Sequence, residues 1–305
     1  MWGSAADDLW AVGSAGSMFH WDGHTWTSAC RGTTVPLEQV WGSGPDNLWA
    51  GGHFRRESTD ENPFYDYVLT RWDGHSWTTV PAPKDTSYGA LTGSGPDDVW
   101  LVGSPTPDGA NLHRWDGASW TDTTSPYRKI LVTGRDDAWG TSGASVDHWD
   151  GSQWTPSKTF PANVFRLAAA SSTDVWALLE NSQIHKWDGT TLSLPGQGPM
   201  DAFWPYSTAG VWEVSRGEVQ HWDGTAWKRI VAPHWETTGI WGDASEAWIS
   251  AGDPALPWVG SLIHCDQSAC TEDPRWTRGA FYGVWASGAG DLWFVGEDGA
   301  ILHRK

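Results

Sequence analysis

The feature that most constrains this chain is a repeat. A tryptophan preceded by a turn and one small or apolar residue, as in Asp97-Asp98-Val99-Trp100, recurs at Trp10, Trp49, Trp100, Trp139, Trp176, Trp212, Trp248 and Trp293. A second mark, Trp-Asp-Gly, begins at Trp21, Trp72, Trp115, Trp149, Trp187 and Trp222. Another tryptophan follows five residues on, at Trp26, Trp77, Trp120, Trp154 and Trp227, with Leu192 in the fifth copy. Self-similarity at a period of about 40 residues points to a fold built of equal units, each burying its apolar face against its neighbours.

The stretch Leu91–Trp120 shows how one unit is built. An apolar run, strand a, leads into Gly-Ser-Gly-Pro-Asp-Asp, which supplies the residue types a tight reversal needs. Strand b carries the first tryptophan and strand c ends at Trp-Asp-Gly. A second turn then opens the short strand d, as in Trp26-Thr27. Short runs rich in Trp, Val, Ile and Thr, broken about every 8–12 residues, read as β-structure, and no stretch carries a helical period. Four strands in a unit of about 40 residues make a β-propeller blade. The expected fold is therefore all-β, an eight-bladed β-propeller. It would be a single domain with units at about 1–34, 35–85, 86–127, 128–162, 163–200, 201–236, 237–278 and 279–305. The sequence stops in strand c of the last unit, so that blade is incomplete. Seven blades with one displaced unit is the alternative.

Composition bounds the partners. Apolar residues make up only 39% of the chain, but 27 tryptophans compensate, since each buried indole removes roughly 150–250 Å² from water. The formal charge of −18 repels phosphate backbones and argues against nucleic acid. No apolar run approaches the ~20 residues of a membrane span. No signal peptide is legible. Trp2 already belongs to the repeat, so the chain is expected to be a trimmed mature domain or part of a longer parent protein.

The seventh copy departs from the others informatively. Trp21 and Trp26 flank a four-residue turn and should face each other across a hairpin, where aromatic pairs contribute roughly 0.2–1 kcal/mol. Copy seven has Cys265 and Cys270 at those two positions. Facing hairpin positions satisfy disulfide geometry, so a Cys265–Cys270 bond is expected, with two reduced thiols as the alternative. The bond implies an oxidising compartment: extracellular medium, cell surface or periplasm. Cys30 has no obvious partner.

The runs GSGPDNLWAGG (42–52) and GSGPDDVWLVG (93–103), with the HWDG…W element, resemble tandem repeats common in secreted and surface proteins of predatory and soil bacteria. They are also similar to blades of the two-component-regulator and photosystem-assembly propeller families. The likeness spans essentially the whole chain and implies the propeller fold; ligands vary among such families. Copies five and six depart from the pattern, reading AAASSTDVWALLE and WPYSTAGVWEV.

The titratable residues read mainly as structure. Pairs such as Asp7-Asp8, Asp97-Asp98 and Asp136-Asp137 recur at one turn position, where a carboxylate accepts turn N–H groups. The residue before each Trp-Asp-Gly is basic (His20, Arg71, Arg114, His148, Lys186, His221), and His264 and His303 continue the series. Packing on indole faces or pairing with turn aspartates accounts for all of them better than a metal site does. No HExxH, GxSxG, GxGxxG or CxxC motif occurs, and no cofactor is expected.

Function is expected where the repeat is broken. Insertions at 53–67, 105–111 and 253–260 lengthen the connection between strands b and c, so they should share a face with the d–a loops. That face would carry Arg55, Arg56, Tyr65, Tyr67, Trp235 and Trp258 as ligand-binding residues. A strand-a column holds Trp2, Trp41, Trp204, Trp241 and Trp285 against Thr92, Leu131 and Ala168. It reads as inter-blade packing, or, if it faces the channel, as an aromatic wall to which Trp41 and Trp241 would contribute. The leading expectation is a secreted or surface binding propeller for a carbohydrate or a protein. One alternative is a glycan-active enzyme using Asp60, Glu61, Asp66 or Glu236; another is a structural spacer.

Overall fold

The computed structural model describes residues 1–29, 33–55, 65–83, 88–103, 111–171, 173–188, 192–197, 202–207, 210–215, 218–232, 236–253, 256–273, 281–288 and 290–305. Their strands form eight antiparallel sheets, seven of four strands and one of three, each in chain order a-b-c-d. The protein is an eight-bladed β-propeller. The seven-blade alternative falls because the last repeat forms its own sheet from Phe281–Gly288, Asp291–Gly296 and Ile301–Arg304.

Contacts divide the chain into two compact units, Met1–Thr159 and Phe160–Lys305. The first holds blades 1 to 4. Its innermost strands Trp2–Ala5, Gln39–Gly44, Tyr88–Gly95 and Lys129–Gly134 adjoin in turn. The second holds blades 5 to 8, with Val164–Ser171, Ala202–Ser207, Glu236–Gly242 and Phe281–Gly288 innermost in the same manner.

The strand-b tryptophans form the core; Trp49, Trp176 and Trp212 are fully buried. Within each unit, Trp10, Trp49, Trp100, Trp176 and Trp212 meet the c–d hairpin of the following blade. Trp49 lies 5.6 and 5.8 Å from Trp115 and Trp120, at steep interplanar angles. Trp100 stands likewise against Trp149 and Trp154, and Trp176 shares a cluster with Trp222 and Trp227. Edge-to-face contact is the geometry indole rings prefer. Trp212 meets Cys265 and Cys270 instead, which pair across the hairpin and form a disulfide. The disulfide takes the place of the indole pair. In the three-stranded blade, Arg304 stands where Trp-Asp-Gly would begin, and its guanidinium lies 3.7 Å from the Trp248 ring centroid.

Of the strand-a tryptophans, Trp2, Trp41 and Trp241 pack between blades, whereas Trp204 is 37% exposed. A β-carbon on Gly93 of blade 3 would fall 2.7 Å from the Trp41 ring, and one on Gly42 would fall 2.9 Å from Trp2. Glycine lets the indole lie flat on the next blade's backbone. Trp204 donates its Nε1–H to the carbonyl of Gly242 at 3.0 Å. The insertions in blades 2 and 7 differ from the loops expected of them. Part of their length continues the b–c ladder: His53, Phe54 and Arg55 pair with Tyr67, Asp66 and Tyr65, and Asp253 pairs with Leu256 beyond a register shift. Extended pairing satisfies backbone groups that a loop would leave to solvent.

Candidate functional site

The two ends of each blade differ in chemistry. At the a–b and c–d ends the polar side chains hold one another. His20 stacks on Trp10 at 4.4 Å and bonds Asp8 at 2.7 Å, which also accepts from Ser4. His148–Asp137–Thr133 and His303–Asp291–Ser287 repeat this set. Arg114 lies over Trp100 with Nε on Asp98 at 2.7 Å. Arg71 bonds Asn47, Lys186 pairs with Asp174, and His264 pairs with Glu246. His221 instead meets the Tyr206 hydroxyl at 2.7 Å, and burial lowers its pKa. Burial raises the pKa of Asp174, against the pull of Lys186.

The aspartate of Trp-Asp-Gly accepts two turn amides through one oxygen; Asp150 takes Ser152 and Gln153, both at 2.9 Å. The Ser152 hydroxyl, then these amides, bring Asp150 down to about 2. The following Gly151 has φ +94°, and a β-carbon there would strike Asp136. Each basic residue of the series thus has its own partner within its blade. Among the described residues no group of three or more His, Cys, Asp or Glu is arranged to hold a metal ion.

The b–c and d–a ends carry the irregular chemistry. In the first unit, Phe54 sits near the tip of the extended blade-2 hairpin and is 52% exposed. In the second unit, three innermost strands bulge near their d–a ends, and in two of them the extra residue is aromatic. In those two the register slips between Val164 and Arg166 and between Phe281 and Gly283. The extra residues are Phe165 and Tyr282, 43% and 59% exposed. A bulge re-aims the side chain it adds, and here it turns two aromatic rings toward solvent. Arg166 lies beside Phe165, its guanidinium 5.8 Å from the ring centroid. Sequence reasoning passed over all three aromatics. Phe165 and Tyr282 stand in plain strand-a runs, and a bulge leaves no periodic signal.

The residues expected at the site fall out as follows. Tyr67 is described: it packs on the Trp49–Leu69–Val99–Leu101 cluster, 5.9 Å from the His53 ring. Trp41 joins that cluster and Trp241 joins the one around Trp248 and Phe281, so both lie in inter-blade packing. Arg55, Tyr65 and Trp258 belong to the extended ladders, but their side chains are outside the described residues, as are those of Asp66 and Glu236. Arg56, Trp235, Cys30, Asp60 and Glu61 lie wholly outside them.

Fold and surface together define the class, a tryptophan-rich β-propeller. Solved structures match along nearly the whole chain. YCF48 bound to D1 peptide is 15% identical, covering 99% of this chain and 91% of that one at a TM-score of 0.55. YCF48 from Cyanidioschyzon merolae is also 15% identical, covering 98% and 91% at 0.54. The C-terminal WD40 domain of Sif2 is 8% identical, covering 98% and 93% at 0.70. At these identities the likeness is one of fold. No family model matches the chain, and no curated protein does. Among the described residues no helix is long and apolar enough to cross a membrane.

Proposed function

We propose that the protein is a secreted or surface binding scaffold that recognises a protein partner through the b–c and d–a ends of its blades. The observation that carries this reading is the contrast between the two ends. Of the six large apolar side chains exposed among the described residues, the four most exposed, Phe54, Phe165, Val231 and Tyr282, lie at b–c or d–a ends, and Phe19 and Trp204 lie within strands. At the opposite ends most turn carboxylates are already engaged by a basic side chain or by turn amides. Exposed aromatics on a rigid scaffold are the anchors of protein interfaces. One structural neighbour was solved with a peptide bound, which supports this mode of use for the fold. The disulfide supports an oxidising compartment, and the −18 charge favours a neutral or basic partner.

A displayed library of random peptides tests the proposal. Enriched peptides are expected to bind saturably and to weaken at least about tenfold on Phe165→Ser or Tyr282→Ser, the loss of one buried aromatic anchor. A library that enriches nothing, or peptides indifferent to both substitutions, would refute it.

A further inference from the structure

Between blades 3 and 4, in the first unit, lies a cleft of about 390 Å³, within the size range of small-molecule sites. Its apolar walls are the indoles of Trp100, Trp149 and Trp154. Arg114 is locked at its back. The guanidinium lies 4.9 Å from the Trp100 ring centroid and 5.3 Å from that of Trp149, with Nε on Asp98.

The cleft coincides with a break in the repeat. Four residues before the strand-b tryptophan, the other copies have Ala6, Pro45, Pro96, Ser172, Thr208, Ala244 and Ala289; blade 4 alone has a long cation there, Arg135. Its Nη1 reaches across to Asp97 of blade 3 at 2.5 Å, and its carbonyl accepts from Arg114 Nη2 at 3.0 Å. Its Nε and Nη2 carry no hydrogen bond among the described residues, and the side chain is 58% exposed. Strand d adds a second difference. Thr27, Thr78 and Thr155 donate to the strand-c carbonyl opposite them. Thr121, at the same place in blade 3, makes no such bond and lines the cleft with Thr123.

Charge narrows the ligand class. Arg114 and Arg135 are matched by Asp98 and Asp97, which leaves Asp116 and Asp136 in excess. Turn amides hold Asp116 in its ionised form. This excess, with the −18 of the whole chain, repels anions. A cation would meet the guanidiniums of Arg114 and Arg135 in the same cleft, and because Arg114 already covers Trp100 and Trp149, Trp154 is the indole left to a ligand's apolar face. What remains complementary is a neutral ring with hydroxyls on its edge and C–H groups on its face. The hydroxyls would accept from Arg135 and the threonines and donate to Asp136, while the apolar face meets indole.

We propose that this cleft binds one ring of a neutral saccharide. Titration of the whole protein with neutral mono- and disaccharides, read by tryptophan fluorescence and calorimetry, tests it. Inorganic phosphate and tetramethylammonium serve as charged controls. At least one saccharide is expected to saturate. Arg135→Ala, the residue three other blades carry, should weaken it about tenfold, the cost of a charge-assisted hydrogen bond. Thr121→Val should also weaken it, and Phe165→Ser should leave it unchanged, separating this cleft from the peptide-binding ends. The proposal is overturned if no saccharide saturates, if phosphate or tetramethylammonium binds in preference, or if Arg135→Ala, with its thermal midpoint intact, binds as before.

Discussion

At the scale of single residues, repetition assigns roles that one copy would leave ambiguous. A histidine 2.6 Å from an aspartate, as His148 is from Asp137, looks catalytic when seen alone. The same set in blades 1 and 8, each time stacked on a buried indole, shows it to be a brace. That role was legible in sequence because the basic residue tracks Trp-Asp-Gly around the chain. The turn aspartates make a pH prediction. Asp150, Asp223 and Asp266 each fall from 3.8 to about 2, led by hydroxyl donors from Ser152, Thr225 and Ser268 and then by backbone amides. Unfolded carboxylates take up protons near 3.8, and folded ones only near 2. Their stabilisation is therefore full above 3.8 and lost as pH falls through about 2. The thermal midpoint, followed by circular dichroism, should drop across that window. Asp150→Asn, Asp223→Asn and Asp266→Asn together keep an acceptor oxygen but cannot titrate, so the drop should become shallower. An unchanged slope would place the acid sensitivity elsewhere.

At the scale of elements, the hairpin between strands c and d is the exchangeable part. Trp72 and Trp77 face each other at 5.9 Å, and Cys265 and Cys270 do the same by a covalent bond. The pairing is legible in the sequence because the i, i+5 spacing survives the change of residue. The tertiary consequence is not: the cysteine pair packs on Trp212 of the preceding blade, a contact that no spacing within the hairpin encodes. Removing the bond therefore frees the hairpin and also loosens that contact. Closing so short a loop contributes about 2 kcal/mol by restricting the unfolded chain. Cys265→Ser with Cys270→Ser should lower stability by at least that amount. Reductant should lower the midpoint of the natural chain while leaving the double variant unmoved. Equal sensitivity of both proteins to reductant would show that the bond contributes nothing.

At the scale of the molecule, blade number and strand order were readable because each blade repeats one pattern of turns and indoles. The departures were harder to place. The insertions of blades 2 and 7 look like loops in sequence, yet they extend ladders, since strand continuation depends on register and not on composition. Arg135 hides inside a turn that the repeat explains, and the cleft beside it exists only once two blades meet. Such an architecture should also be energetically local, because each blade packs on its neighbours. Trp176 and Trp248, both in the second unit, belong to clusters that share no residue. Trp176→Phe and Trp248→Phe should each cost about 0.5–3 kcal/mol, and the double variant should match their sum within ~0.5 kcal/mol. Trp248→Phe with Phe294→Leu, whose rings sit 6.2 Å apart in one cluster, should instead couple by roughly 0.5–3 kcal/mol. Urea midpoints at constant slope give both numbers. If the distant pair couples as strongly as the neighbours, strain passes from blade to blade, and the repeats do not act as separate energetic units.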